Sequence, residues 1–260
     1  MGESLPLFEI AALAAGACLA GAMNAIAGGG TIITFPLLIA FGMPAIQANA
    51  TSTVALTVGI FGSVYGYRQN LPAARPWMKL LAPVSIIGGV LGAWLLTATS
   101  EKIFNDLVPF LILFATVLFL LGNVMGRLAG LDGSEGSSDS AKKYTAAVVQ
   151  LGVAIYGGYF GAGIGILMLA AFAFIGLKNI HEMNAIKTVL GGLINIVAAV
   201  YFVSSGLVNW PEAVVMMLGS ALGYYGGAAF TQTIPQRYVR LLIAAIGLLL
   251  SAVFFWRQFA

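Results

Sequence analysis

The chain has 260 residues, of which 60% are hydrophobic and only 8% are charged, with a net charge of +3. A soluble domain carries about 25% charged residues. This composition, with a mean hydropathy of +0.97, therefore predicts a membrane protein with several spans. One cysteine and one histidine exclude a disulfide framework and leave too few ligands for a zinc or haem centre. The small, scattered charge excludes nucleic-acid binding. We expect no metal site and no cofactor.

Apolar segments follow one another along the chain in two groups of five, separated by a polar stretch. Numbered S1 to S10, they cover residues 7–27, 30–41, 47–66, 77–98 and 106–129, then 144–160, 163–175, 182–203, 211–230 and 238–259. The polar stretch is rich in Gly, Ser and acidic residues, which is typical of a flexible linker. The sequence therefore predicts two transmembrane repeats, 1–129 and 144–260, joined by a linker at 130–143.

Two of the segments, S2 and S7, are too short to cross a bilayer. They contain 12 and 13 residues, whereas a helix that rises about 1.5 Å per residue needs roughly 20. Each follows a glycine cluster. We predict that both are broken or re-entrant half-helices; the alternative is that S1–S2 and S6–S7 are kinked long helices. The sequence leaves open whether residues 7–41 and 144–175 cross fully or form hairpins.

The two groups also match in sequence at a constant offset of 135 residues, which indicates an internal duplication. The coinciding pairs include Gly28 and Gly163, Gly30 and Gly165, Asn49 and Asn184, Thr53 and Thr188, and Pro76 and Pro211. Eight basic residues flank the S3–S4 loop, the linker and the S9–S10 loop. By the positive-inside rule these loops are cytoplasmic and both termini lie outside. The second group then starts on the opposite side from the first, which predicts an inverted-topology repeat.

Polar residues concentrate at matching places, namely the glycine breaks before S2 and S7 and the starts of S3 and S8. A helix start after a glycine cluster presents backbone N–H groups and a positive dipole end, a combination that binds anions. Two such starts approaching from opposite sides would frame one midplane site; the alternative is that the glycines serve only helix packing. The predicted substrate-binding residues are Asn24, Gly28, Gly29, Gly30, Thr31, Asn49, Thr51, Ser52, Gly161, Gly163, Gly165, Asn184, Lys187 and Thr188.

Three ionisable residues near the start of S8 add candidates for charge chemistry. Lys187 lies five residues into S8 and is followed by an apolar run. A lysine in a membrane segment usually faces a cavity or a partner, but one this near a helix start can instead snorkel outward. His181 and Glu182 form a pair suited to proton coupling, with a solvated turn as the alternative.

Residues 27–42 (AGGGTIITFPLLIAFG) and 48–56 (ANATSTVAL) resemble the TauE/SafE family of sulfite and organosulfonate exporters, also called TSUP. The second group carries a looser copy in GAGIGI (161–166) and MNAIKTVLGG (183–192), where Lys187 stands in the place of Ser52. The resemblance implies an inner-membrane transporter, not an enzyme. Its cargo would be small sulfur-containing anions such as sulfite, sulfoacetate or other organosulfonates, carried mostly outward.

We therefore expect an all-α secondary transporter that works by alternating access around a midplane anion site. An anion channel of the same fold, or a carrier of another small anion such as a carboxylate, stays open as an alternative. Oxygen atoms at helix N-termini do not distinguish sulfonate from carboxylate. The expected partners are the small anion and the lipid bilayer. The sequence leaves proton or ion coupling and a homodimer open.

Overall fold

The computed structural model describes residues 5–26, 29–60, 64, 71–129, 139–175, 177, 179–230 and 236–259. The regular secondary structure of this part of the chain is helical throughout, which confirms the predicted all-α class. In chain order the helices are α1 (Leu7–Ile26), α2 (Thr31–Ala40), α3 (Ala45–Thr57), α4 (Leu71–Ala98), α5 (Glu101–Ala129), α6 (Asp139–Tyr159), α7 (Ile164–Phe174), α8 (Ile180–Ser204), α9 (Trp210–Phe230) and α10 (Gln236–Phe259).

Most helix bounds lie within two residues of the predicted segments, but four differ by five or more. Helices α4 and α5 begin at Leu71 and Glu101, ahead of the predicted residues 77 and 106. Helix α3 ends at Thr57, where Thr57, Val58 and Gly59 are poor helix formers. Residues 61–63 and 65–66 of the predicted segment lie outside the described residues. Helix α6 begins at Asp139, so residues 139–143 of the predicted linker are helical. An acidic residue near a helix N-terminus is stabilising. Residues 130–138 of the linker lie outside the described residues.

The first break turns α2 back along α1. Leu37 packs on Gly16, and the rings of Phe8 and Phe41 meet edge to face with centroids 6.4 Å apart. The two helices are therefore antiparallel, and the alternative of one kinked long helix is wrong. A helix of 10 residues is about 15 Å long, roughly half of the hydrocarbon thickness. Residues 7–41 form a hairpin, and the tip of this hairpin lies inside the protein.

The second break turns α7 back along α6 in the same way. Gly161 and Gly163 have φ of +78° and +75°, in the left-handed region that glycine adopts most easily. The Tyr156 hydroxyl donates to the carbonyl oxygen of Ala162 at 2.6 Å and closes the turn. At 11 residues, α7 is nearly as short as α2.

An aromatic cluster holds the two hairpins together. Phe35 of α2 and Phe160 of the second break meet edge to face with centroids 5.4 Å apart. Phe104 of α5 contacts both rings, at 6.2 and 6.4 Å. Each such pair is worth about 0.5–1.5 kcal/mol beyond its buried area. The positions of the two breaks are therefore coupled.

Helices of the first group of five pack directly against helices of the second group. Helix α1 packs along α9, α4 packs along α6, and α5 packs against α10, so the first helix of each group contacts the fourth of the other. Small residues allow the close approach. Gly219 and Gly223 of α9 lie directly against the α1 backbone at Ala14 and Cys18, as expected for helices that associate in lipid.

Corresponding helices of the two groups run in opposite directions. The start of α3 and the turn after α8 line one pocket, so the two helices are opposed. Helix α10 lies antiparallel to α5, because Ser251 bonds to the Pro109 carbonyl while Gly247 packs on Thr116. An inverted repeat requires these directions; the duplication itself stays a prediction. The end of the bundle that carries residues 44–47 and Glu101 is called end A below.

The exterior of the bundle is suited to lipid. Within the described residues, three helices are long and apolar enough to cross a membrane: Leu7–Ala25, Ala74–Ala98 and His181–Ser204. Trp94, Leu218 and Trp256 point outward with 54%, 66% and 75% of their surface exposed. Continuous apolar surface of this kind is typical of a membrane-facing protein.

Candidate substrate site

The tips of the two hairpins meet at a single cavity of about 90 Å³. Helices α3, α8 and α9 complete its wall. The cavity has room for several waters or one small ion. Its polar and glycine lining residues are Asn24, Gly29, Thr31, Thr53, Gly161, Gly165, Lys187, Thr188, Gly191, Gly192, Asn195 and Tyr224.

The cavity gathers part of the predicted set of binding residues. The predicted residues that line it come from both breaks and from α8: Asn24, Gly29, Thr31, Gly161, Gly165, Lys187 and Thr188. The predicted residues that do not line it are Gly30, Asn49, Thr51, Ser52, Gly163 and Asn184. Gly28 lies outside the described residues. The binding role of all of them stays a prediction.

Asn24 orders the first hairpin tip. Its Oδ1 accepts a hydrogen bond from the Gly30 amide at 2.7 Å and so satisfies one N–H at the start of α2. A Cβ on Gly30 would lie 2.6 Å from the carbonyl oxygen of Ala20, so glycine is required there for close packing. Because Oδ1 is engaged, the Asn24 side chain has its Nδ2 donor left for the cavity, which Tyr224 also lines.

The polar residues of α3 mainly hold neighbouring helices. The hydroxyls of Ser52 and Thr34 are 2.6 Å apart and both residues are fully buried. Asn49 donates from Nδ2 to the Tyr159 carbonyl oxygen at 2.9 Å and ties α3 to the end of α6. Because the Ser52 hydroxyl and the Asn49 amide group already make these hydrogen bonds, they are not directed at a bound anion.

Three further predicted residues lie away from the cavity. Thr51 accepts a hydrogen bond from the amide of Asn209 at 3.1 Å, next to the start of α9. Gly163 faces α5, where a Cβ would contact Ala115 at 3.6 Å. Asn184 is half-buried on α8, one turn before the residues that reach the cavity.

Lys187 brings positive charge to the cavity. It is the one charged residue among the described residues of the lining, and no described acid forms an ion pair with it. Thr188, Gly191, Gly192 and Asn195 line the same wall, so the helical repeat turns this face of α8 inward. The position favours a cavity-facing lysine over one that snorkels outward. A cation without a counter-charge in a poorly solvated site attracts an anion.

Three polar residues of the lining were not among the predicted binding residues. Thr53 aligns with Thr188 at the offset of 135, so the sequence did carry a signal for it. Asn195 lies eight residues after Lys187 on the same helix face. Tyr224 comes from α9, where the glycine pattern indicates packing only, and no sequence signal identified it.

His181 and Glu182 lie at the start of α8 and do not line the cavity. The Asn179 side chain accepts hydrogen bonds from both of their amides, at 3.0 and 3.3 Å, and so forms an ordinary N-cap. His181 is exposed, which favours the solvated turn. Among the described residues no cluster of three His, Cys, Asp or Glu side chains is arranged to hold a metal ion.

An all-α bundle with a lipid-suited exterior and a charged cavity between two broken helices has the architecture of a membrane transporter. The sulfite exporter TauE/SafE family matches residues 13–254. The chain belongs to this family, and it is a membrane transporter.

Similar curated proteins carry names of the same class. A probable membrane transporter protein of Haemophilus influenzae is 28% identical over 248 residues, covering 92% of each chain. The probable membrane transporter protein YfcA of Escherichia coli K12 is 28% identical over 238 residues, covering 91% of this chain and 86% of its own. The probable membrane transporter protein ORF9 of a Sinorhizobium species is 28% identical over 254 residues, covering 96% and 93%. No solved structure matches the chain.

Proposed function

We propose that this transporter carries a small sulfur-containing oxyanion, such as sulfite or a short organosulfonate, outward by alternating access around the cavity. One observation carries the proposal: Lys187 lines the cavity between the two hairpin tips without an acidic partner among the described residues. Oxygen atoms of the anion would contact the Lys187 ammonium and the hydroxyls of Thr31 and Thr188. Backbone N–H groups at the starts of α2 and α7 would add to the positive potential.

The cavity volume supports a compact cargo. A cavity of about 90 Å³ has room for a small ion. Sulfite is a compact ion of this kind, and a short organosulfonate is larger. The name of the family supports sulfite, and the names of the relatives specify no cargo.

We place the protein in the bacterial inner membrane, with end A and both termini outside and the linker in the cytoplasm. The bias of basic residues toward the loops at the opposite end supports this orientation. In a Cys18→Ala background, Ser205→Cys at end A should react with a membrane-impermeant thiol reagent in intact cells. Ser137→Cys in the linker should react only after the cells are opened. The reverse labelling pattern would contradict the orientation.

The cargo can be tested by ligand-induced stabilisation of the purified protein. A ligand that binds only the folded state at 100 times its Kd stabilises it by about 2.7 kcal/mol. We expect sulfite to raise the unfolding temperature most and a short sulfonate to raise it less, with acetate and malonate as the comparison anions. Stabilisation by the carboxylates alone would reassign the cargo.

The carrier mechanism needs a transport assay. Proteoliposomes loaded with unlabelled sulfite should accumulate radiolabelled sulfite by counterflow, because a carrier exchanges its substrate at one site. An anion channel of the same fold would let the label equilibrate without this transient accumulation. If the radiolabelled sulfite equilibrates without transient accumulation, the protein is a channel and the carrier mechanism is wrong.

A further inference from the structure

A second pocket, of about 220 Å³, lies at end A between α1, α2, α3 and α9. Two carboxylates line it, Glu9 of α1 and Glu212 of α9, together with the amide side chains of Gln47 and Asn209. None of the predicted binding residues contributes to it. No basic residue occurs in its lining among the residues the structure describes.

Glu212 is buried in this wall in an unusual state. Only 9% of its surface is exposed, and its Oε1 accepts a hydrogen bond from Asn209 Nδ2 at 3.0 Å. Its Oε2 is buried without a hydrogen-bond partner within the described part of the chain. A buried carboxylate oxygen without a donor is costly, and the cost disappears when the oxygen carries a proton.

Glu101, at the same end, shows the opposite situation. Its carboxylate accepts hydrogen bonds from the amides of Ala45 and Ile46 at the start of α3. The Glu101 carboxylate therefore has amide donors for its oxygens, whereas Glu212 Oε2 has no donor among the described residues.

The surroundings of Glu212 favour the neutral acid. Among the residues the structure describes, the titratable groups that line the pocket are Glu9 and Glu212. Burial disfavours the charged form of a carboxyl group, and a second carboxylate nearby disfavours it further. Both effects act on Glu212, which is buried and shares the pocket with Glu9.

We propose that Glu212, together with Glu9, forms a proton-binding site at end A, and that proton binding there is coupled to transport of the anion. The ligand is a proton taken from water and held on the Glu212 carboxyl group. A metal cation fits less well, because the described residues offer no third acid, His or Cys at this place. The coupling rests on the proposed function, whereas the proton site itself does not.

Hydrogen bonds connect the pocket to the first hairpin tip. Asn209, which donates to Glu212, also donates from its backbone amide to Thr51 Oγ1 on α3 at 3.1 Å. The next residue of α3, Ser52, bonds to Thr34, and Thr34 Oγ1 donates to the Gly30 carbonyl oxygen at 3.2 Å. Thr51 and Ser52 are joined only through the backbone, so this connection transmits a shift of α3 rather than a proton.

Infrared spectroscopy of the purified protein tests the proton site without any transport. The parent should show the band of a protonated carboxyl group that titrates with pH. Glu212→Gln should lose this band, and the matched variant Glu101→Gln should keep it. Glu9→Gln should move the midpoint of the titration to lower pH, since it removes the neighbouring negative charge. A band that is missing in the parent, or that persists in Glu212→Gln, would overturn the site.

Proteoliposomes test the coupling. In the parent, a pH gradient should drive accumulation of radiolabelled sulfite. Glu212→Gln should keep counterflow exchange near the parent rate but lose the gradient-driven accumulation. Accumulation driven by a sodium gradient, or insensitive to the pH gradient in the parent, would overturn the coupling. If the parent moves no sulfite at all, the cargo proposal fails, while the infrared result still decides the proton site.

Discussion

Helices α3 and α8 occupy matching places beside the cavity, yet they contribute different chemistry. Thr53 and Thr188, which coincide at the offset of 135 residues, both line it. One residue earlier, α3 has Ser52, which turns away to bond with Thr34. At the matching position α8 has Lys187, which faces the cavity. Matching helices can therefore serve unequal roles, one as scaffold and one as the source of charge.

The same contrast continues one and two turns further along the two helices. On the α3 side the wall consists of Leu56 and Ile60, whereas the matching α8 positions are Gly191 and Asn195. The α3 wall is thus bulky and apolar, and the α8 wall is small and polar. A bound anion would lie against α8, where charge and donors are found. The half with the looser sequence motif therefore carries the stronger candidate for anion binding.

The largest effect should come from removing the charge of α8. Lys187→Met keeps most of the side-chain stem, and loss of one partner of a buried charge pair costs about 2–5 kcal/mol. We expect the Kd for sulfite to rise by well over ten-fold, since about 1.4 kcal/mol is a factor of ten. Thermal titration with sulfite measures this. The control is Lys102→Met, at an exposed lysine of α5. If Lys187→Met binds sulfite as tightly as the parent, α8 does not supply the charge that distinguishes it from α3.

A smaller effect should follow from a methyl group at the second hairpin tip. Gly161 and Gly206 both have positive φ, +78° and +68°, so alanine at either position costs about 1–2 kcal/mol of stability. At Gly161 the new Cβ would lie 3.0 Å from the Gly157 carbonyl oxygen and 4.0 Å from Asn195 Oδ1, whereas at Gly206 nothing lies within 4 Å. The transport rate of Gly161→Ala should therefore be about five-fold lower than that of the parent, which corresponds to an overpacking cost of about 1 kcal/mol.

The matched variant Gly206→Ala separates the two causes in that experiment. It should lose similar stability and keep the parent transport rate, measured by counterflow and by thermal unfolding of the same preparations. Equal transport in the two variants would mean that Gly161 has only a conformational role.

The smallest effect should come from one hydroxyl of α9. Tyr224→Phe removes a hydroxyl from the cavity lining and should weaken sulfite binding by about 0.5–1 kcal/mol. Tyr225→Phe is the matched control, because the neighbouring tyrosine is 86% exposed. Affinity that changes equally in both variants would show that α9 contributes no donor to the site.

The sequence by itself predicted the all-α class and the places of both breaks. These features depend on local properties of the chain. A run of about ten apolar residues is too short to cross a bilayer, and glycine alone adopts positive φ without strain. The charge at Lys187 was also visible, because a lysine within an apolar segment is costly and so conspicuous.

Only the tertiary structure decided which polar residues face the cavity. Asn49 and Ser52 are as polar as Thr53, but the rotation of α3 aims them at Tyr159 and Thr34 instead. Such a rotation depends on how neighbouring helices pack and is not encoded in one segment. Tyr224 enters the lining, and Glu212 meets Glu9, only because α9 packs along α1 from the far end of the chain. Contacts between residues so distant in sequence arise from packing, and no local pattern records them.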